Sequence, residues 1–422
     1  MALQHVISPC PPASGMGNLL SIDDACRIAA DYATPRHRVE TVRLTAALGR
    51  TLAHDALAVH PCPPFAQSAM DGYAVFAGAA LPPGTVLAVE GRVAAGQHAA
   101  PLRLGAAARI FTGAPIPAGA DTIVMQERTQ RVGDTIVLRD TVRPGEHVRR
   151  EAEDVCPGST LAEAGQHLDA RHVALFAAQG LAAVKVRSRL RIAVVSTGDE
   201  IRDGGGPAGG LASGICDSNR PMLLALVAQA GQEAVDGGGV PDDPARLANV
   251  LRALSASCDL IVTTGGVSVG EEDHSASALT RAGGTGETLR IALKPGKPAL
   301  VGRIGGAAYL GLPGNPVSAL VSWSLLGRSM LAALEGCRFR RPRGVRVPLA
   351  NPVLRKAGRT EFMPARLVER GDEVLLQVLG STSARLRPLV DADGFVELPA
   401  DLHSAPAGSA LPFLPFERLF GA

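Results

Sequence analysis

The chain reads as a multidomain α/β plus β protein, with a central, mostly parallel α/β domain and separate β-rich segments on either side. Three observations predict this. Between residues 190 and 334, apolar strand-like runs alternate with helical patterns, as βαβ units of a parallel sheet require. Between residues 62 and 147, and again after residue 345, short β-like runs follow one another with only Gly/Pro turns between them. The 48 glycines and 31 prolines that so many turns need stand beside 46% apolar residues and only 3% aromatics, so aliphatic side chains must fill the cores.

From the start of the chain, SPCPPASGMG reads as a disordered tail without the charged-then-apolar order of a signal peptide. Residues 21–33 predict a short amphipathic helix: Ser21 with Asp24 resembles a capping box, and Ile22, Cys26 and Ala29 share one face. Residues 39–44 alternate like a strand, and residues 51–59 form a further short extended or helical piece. HPCPPF at 60–65 breaks the pattern. SAMDGYAVF, VLAVEGRV, ARIFTGAPIP, DTIVMQE and DTIVLRD then read as strands of a β-rich domain. DARHVALFAAQG at 169–180 is a capped helix closed by Gly180. Its position after the β-rich stretch predicts a discontinuous helical domain, 18–61 with 148–188, into which 62–147 is inserted.

The central domain is expected over 189–336. Residues 191–196 form a strand, 221–230 a helix closed by Gly231, and 243–256 a helix with Leu247, Val250, Leu251 and Leu254 on one face. Leu260–Thr264 is a short buried strand, with further strands at 289–293, 299–303 and 308–312, and Pro316–Leu334 is a long closing helix. RFRRPRG at 338–344 reads as a solvated linker rather than a nucleic-acid patch. Beyond it, VRVPLAN, TEFMPARLVE, EVLLQVLG, GFVELP and ALPFLPF predict a small β domain over 337–422. No repeat of 20–50 residues is visible, and DGGGPAGG, lacking a phosphate-loop lysine, reads as a surface loop.

Chemistry concentrates in three glycine-bearing loops, each following a strand: STGDE, TTGGVSVGEED and GLPGNP. In an open parallel sheet the loops at the carboxyl ends of the strands gather on one edge and form the ligand crevice. Gly265 and Gly266 let backbone N–H groups approach a ligand, and the carboxylates of Glu271, Glu272 and Asp273 suit a hard divalent cation. KPGKP at 294–298 adds two lysines on a rigid turn, a pattern suited to phosphate.

Other classes are disfavoured. A formal net charge of +2 gives no electrostatic case for nucleic acid as the main partner. The seven cysteines lie far apart with no CxxC pair, which argues against zinc and a disulfide framework and fits a reduced cytoplasm. No apolar run reaches membrane-spanning length.

SAMDGYAV, TGAPIPAGADTIVMQE, STGDE, GICDSNR, TTGGVSVGEEDH, KPGKP and GLPGNPVSAL, in this order and spacing, resemble the molybdopterin molybdenumtransferase family, which includes the C-terminal domain of gephyrin. The resemblance runs over essentially all the chain after about residue 18 and is weaker in the last domain. It implies that the last domain is a small β-barrel and that the protein is a homodimer. Each active site would lie between the central domain of one subunit and the β-rich region of the other. It further implies insertion of molybdenum from molybdate into adenylylated molybdopterin with release of AMP, assisted by Mg²⁺. Implied partners are a molybdopterin adenylyltransferase and recipient molybdoenzymes, with neither nucleic acid nor membrane involved.

Carried over by motif, the resemblance implies catalytic roles for Thr112, Asp154, Asp199 and Glu200, and metal ligation by Glu200, Asp242 and Asp273. It implies substrate contacts for Ser68, Asp71, Thr264, Gly265, Gly266, Ser268, Gly270, Arg290, Lys294, Lys297, Pro313, Pro316 and Ser383. Three positions depart from the family pattern. Ala66 stands where the family has an aspartate, Ala152 where it has a glycine before Glu153-Asp154, and Ala384 where a glycine follows Ser383. These departures keep a second reading open, a paralogue that binds or delivers molybdopterin or the finished cofactor with little insertase activity. A third, an adenylyltransferase, is disfavoured by the extra domains and the GEED loop.

Overall fold

The computed structural model describes residues 19–202, 214–267, 274–380 and 382–420. The N-terminal tail, DGGGPAGG, and the site candidates Ser268, Gly270 and Asp273 with their neighbours Glu271 and Glu272 lie outside the described residues. The chain divides into two compact units, Thr41–Val186 and the combination of Met1–Glu40 with Arg187–Ala422.

In the smaller unit, a six-stranded sheet runs in the order Thr122–Met125, Gly72–Val75, Ala106–Ile110, Val86–Val93, Thr135–Leu138, Thr129–Val132. All its pairings are antiparallel except that between Val86–Val93 and Ala106–Ile110. Period-two alternation sends Tyr73, Val75 and Ala107 to one apolar cluster and Ala74, Ala108 and Ile110 to another, so both faces are covered. A separate core of Leu44, Leu52, Leu168, Phe176 and Val186 packs around the helix Ala170–Ala178. That helix starts where its sequence says it should. Asp169 accepts from the backbone of His172, and the His172 ring accepts from the backbone of Asp169 in return.

The larger unit is built on a sheet ordered Glu233–Val240, Arg191–Thr197, Leu260–Thr264, Ala307–Leu312, Pro298–Ile304, Thr285–Arg290. The first four strands are parallel; Pro298–Ile304 runs antiparallel to both its neighbours, so Thr285–Arg290 again points with the first four. Ile192, Val194, Leu260 and Val262 face one cluster and Ala193, Val195, Ile261 and Tyr309 the other, which is why these strands read as continuous apolar runs. Each such fully buried aliphatic side chain contributes about 1.5–3 kcal/mol.

Pro316–Leu334 is 19 residues long and apolar enough to span a membrane by length and composition, contrary to the reading that no run reaches that length. Its apolar window is 83% buried inside the protein, which makes it a core helix. A π turn at Trp323–Gly327 interrupts it, and a side chain at Gly327 would fall 2.3 Å from the Trp323 ring.

The N-terminal helix, Ile22–Asp31, was expected to join 169–180. Its buried residues Ile22, Ala25, Cys26 and Ala29 instead share a core with Trp323, Met330 and Leu334. Ser329 Oγ also donates to Cys26 O at 2.5 Å. A narrow apolar stripe packs against the helix that is apolar all round.

Six further strands form a second sheet in the larger unit, ordered Leu293–Lys294, Thr360–Arg370, Gly394–Leu398, Ala410–Pro415, Val345–Pro348, with Glu373–Val378 paired to Thr360–Arg370. A bridge between Leu349 and Leu376 joins the Val345–Pro348 end to Glu373–Val378, curling the sheet around Met363, Leu376, Val396 and Phe413.

Candidate active site

The parallel register of the central strands sets Ser196 level with Thr264 and Thr264 level with Leu312. The loops that follow therefore meet at one sheet edge, over a cleft of about 450 Å³ lined by Thr197, Glu200, Asp217, Asn219, Thr264, Gly265, Gly314, Pro316 and Ala384. Gly265 has φ +95, and a Cβ there would lie 2.2 Å from Thr197 O. Only glycine lets the two loops come this close. Gly266, at φ +65, is crowded in the same way by Ser275 Oγ and Thr197 Oγ1.

Side chains lock the loops from beneath. Asn219 Nδ2 donates to Gly314 O at 2.7 Å and to Thr264 Oγ1 at 2.8 Å, and Thr264 Oγ1 in turn donates to Pro313 O at 3.2 Å. Because a carbonyl only accepts, the Asn219 amide has one possible orientation. Asp217 Oδ2 accepts from Ser196 Oγ at 2.5 Å and from Arg220 Nε at 3.1 Å, while Oδ1 accepts the backbone N–H groups of Asn219 and Arg220. Ser196, Asp217 and Asn219 were not among the expected site residues, although GICDSNR carried the last two.

Asp199 lines a smaller cavity of about 210 Å³ together with Gly198 and Pro241, and Asp242 follows Pro241 in the chain. Asp242 N donates to Asp199 Oδ1 at 3.1 Å and Asp199 N to Asp242 Oδ2 at 3.4 Å. Among the described residues, no group of three His, Cys, Asp or Glu side chains is placed to hold a metal. The expected set of Glu200, Asp242 and Asp273 cannot be assembled from these residues alone, because Asp273 lies outside them; of the other two, one oxygen of Asp242 accepts from the neighbouring loop. Glu200 is exposed at the cleft.

Of the other expected contacts in this unit, Ser383 O accepts from Val317 N at 3.1 Å, fastening its segment to the start of the long helix. Arg290 is exposed, and Lys297 O accepts from Ile291 N at 2.9 Å. Lys294 Nζ does not line the cleft but sits 2.7 Å from Glu361 Oε1.

In the smaller unit, Asp71 Oδ1 accepts from Thr112 N and Thr112 Oγ1, both at 2.8 Å. The backbone bond first, then the hydroxyl, holds the Asp71 carboxyl below the usual range. Ser68 is buried, its Oγ donating to Met70 O at 2.5 Å. Asp154 lies on a cavity of about 660 Å³ with Cys62, Gln67, Arg149 and Glu153. Ala66 is half-buried, and its carbonyl accepts from Ile116 N at 3.0 Å. Ala152 has φ 60, so the position where the family carries glycine retains a left-handed backbone.

A molybdopterin molybdenumtransferase from Haemophilus influenzae is 34% identical over 412 residues, covering 96% of this chain and 100% of that protein. The chain belongs to the molybdopterin molybdenumtransferase family. Molybdopterin molybdenumtransferase 2 of Mycobacterium tuberculosis is 38% identical over 386 residues, 88% of this chain and 93% of that one. Family models match end to end: the MoeA N-terminal region (domain I and II) over 20–180, the probable molybdopterin binding domain over 193–333, and the MoeA C-terminal region (domain IV) over 346–416. A solved molybdopterin biosynthesis MoeA protein of Pyrococcus horikoshii OT3 superposes with a TM-score of 0.78 at 27% identity, covering 94% of this chain and 99% of that one. The cleft of this family member thus falls largely inside the stretch matched as a molybdopterin binding domain.

Proposed function

We propose that the protein inserts molybdenum from molybdate into adenylylated molybdopterin with release of AMP, the last step of molybdenum cofactor biosynthesis. The observation that carries this reading is the cleft where three strand-end loops meet around Gly265. The glycines at Gly265 and Gly266 leave this edge free of side chains where a ligand would lie, and Glu200 stands at its rim. In this reading Glu200 and Asp199 orient water at the adenylate, Thr112 and Asp154 serve from the β-rich region, and Lys294 and Lys297 hold phosphate. The second carboxylate oxygens of Asp199 and Asp242 make no hydrogen bond among the described residues. Two hard oxygen donors fit Mg²⁺, which commonly takes one or two carboxylates and fills its shell with water and substrate phosphate. When bound, the ion would supply charge neutralisation at the phosphates.

We propose further that the protein is a cytoplasmic homodimer whose sites use residues of both subunits, and that it exchanges substrate and product with a molybdopterin adenylyltransferase and recipient molybdoenzymes. Mixing a Glu200→Ala chain with a Ser68→Ala chain should restore about a quarter of full activity by random assembly. No restoration would place each site within one chain.

The deciding assay is AMP release from adenylylated molybdopterin by purified protein, with and without molybdate. Molybdate-dependent release supports the insertase. Tight binding without release supports the delivery reading, which Ala66 favours, since a methyl group neither ligates a metal nor orients water.

A further inference from the structure

The KPGKP turn links the two sheets of the larger unit: Lys294 lies in the second and Pro298 opens a strand of the central one. Leu293–Lys294 pairs in parallel with Thr360 and Glu361, and Thr360 N donates to Ala292 O at 2.9 Å. Beneath the turn, Glu361 is 1% exposed, a carboxylate placed where an unpaired charge would be prohibitive. Two cations compensate it: Lys294 Nζ at 2.7 Å from Oε1, and Arg355 Nε at 3.3 Å from Oε2. The two cations differ in kind. Arg355 has a side chain 3% exposed and donates to the carbonyls of Pro399 at 2.7 Å and Lys356 at 3.1 Å, so it is a fixed part of the fold. Lys294 keeps 38% of its side chain exposed and makes no other ion pair among the described residues, so its ammonium can still meet a ligand.

We infer that Glu361 is a positioning residue for substrate binding: it holds the flexible Lys294 side chain in one place beside the turn, ready for an anionic phosphate. This rests on the reading of Lys294 as a phosphate contact. A lysine has a four-carbon stem and three rotatable donors, and without an anchor it samples many positions. One carboxylate oxygen occupies one of its three N–H donors and leaves two for a ligand. Arg355 keeps Glu361 compensated when Lys294 leans toward phosphate. The C-terminal β segment would thereby set the affinity of a site carried by the central sheet.

The test compares Glu361→Asp, Glu361→Gln, Lys294→Met and the double variant Glu361→Gln/Lys294→Met, reading KM and kcat for molybdate-dependent AMP release, with thermal melts alongside. Glu361→Asp keeps the charge beside Arg355 but draws the carboxylate back by one methylene. It should raise KM for adenylylated molybdopterin about threefold, and Glu361→Gln about tenfold, with kcat within about twofold. In the Lys294→Met background, Glu361→Gln should add no further rise. If Glu361→Gln does not fold, the Glu361→Asp result stands in its place. Overturning results are an unchanged KM in folded Glu361→Asp, a loss confined to kcat, or an equal rise with and without Lys294. If wild type releases no AMP, inorganic pyrophosphate binding by calorimetry replaces KM as the readout, with the same ordering expected. An unchanged affinity across the variants there would also reject the role of Glu361.

Discussion

Asp199 and Asp242 each accept a hydrogen bond from the other's backbone, at 3.1 and 3.4 Å, although they belong to different strand-end loops. The pair pins the loop after Arg191–Thr197 to the loop after Glu233–Val240 and leaves Glu200 at the adjacent cleft. Glu200→Gln should therefore lower molybdate-dependent AMP release on the order of a hundredfold while leaving the melting temperature within about 2 °C. A Glu200→Gln enzyme with wild-type turnover would remove this residue from the site.

Ala152 sits at φ 60 and its N–H donates to Pro63 O at 3.0 Å. Glycine adopts that backbone without a Cβ clash, so Ala152→Gly should stabilise the smaller unit by about 0.5–1 kcal/mol after its larger unfolded-state entropy is counted. Urea unfolding reads this as a higher midpoint at constant slope; a lower midpoint would mean that the surroundings have adapted to alanine.

Gly265 allows no such freedom. Its φ is +95 and an added Cβ would lie 2.2 Å from Thr197 O, so Gly265→Ala must push the two loops apart. A destabilisation of about 2 kcal/mol, together with loss of substrate binding, is expected from melts and calorimetry.

Ala66→Asp returns a carboxylate to a half-buried position next to Gln67, which pairs with Arg149. The expected outcome is faster molybdate-dependent AMP release with little change in affinity for adenylylated molybdopterin. Unchanged release from an already fast wild type would show that position 66 does not limit the reaction.

Acid should loosen two helices in particular. Asp243 accepts from the backbone of Arg246 and Ala245, and these bonds hold its carboxyl below the ordinary value of 3.8. Arg171 and the backbone of His172 lower that of Asp169. A depressed folded-state pKa contributes stability that is present above the unfolded value and lost as pH falls through the folded one. Asp243→Asn keeps a capping oxygen without the titration, so its stability should fall less steeply below pH about 4 than that of wild type, as followed by circular dichroism.

What the sequence made legible follows from local rules. The strand-end loops could be brought to one edge because parallel strands all present their carboxyl ends on the same side, and Ser21, Asp169 and Asp243 could be read as caps from their neighbours alone. The misses are of a different kind. Glu233–Val240 carries Gly237, Gly238 and Gly239 and has no apolar period, so its role as an edge strand was hidden. The reversed direction of Pro298–Ile304 leaves no mark on an apolar run. Neither the partner of the first helix nor the Lys294–Glu361 pair was readable, because each joins segments far apart in the chain and nothing in a lone lysine or a lone amphipathic stripe specifies its complement.

The bond from Ser329 to Cys26 spans 303 residues of sequence, and it ties the first helix to the last long one. Synthesis runs in one direction, so the ribosome releases Ile22–Asp31 first and its cover near the end. Thr41–Val186 is complete well before then and holds its own apolar clusters. The nascent larger unit, by contrast, carries a bare apolar stripe at its start until Trp323 and Met330 emerge, and a message cut short before them leaves that stripe with nothing to cover it.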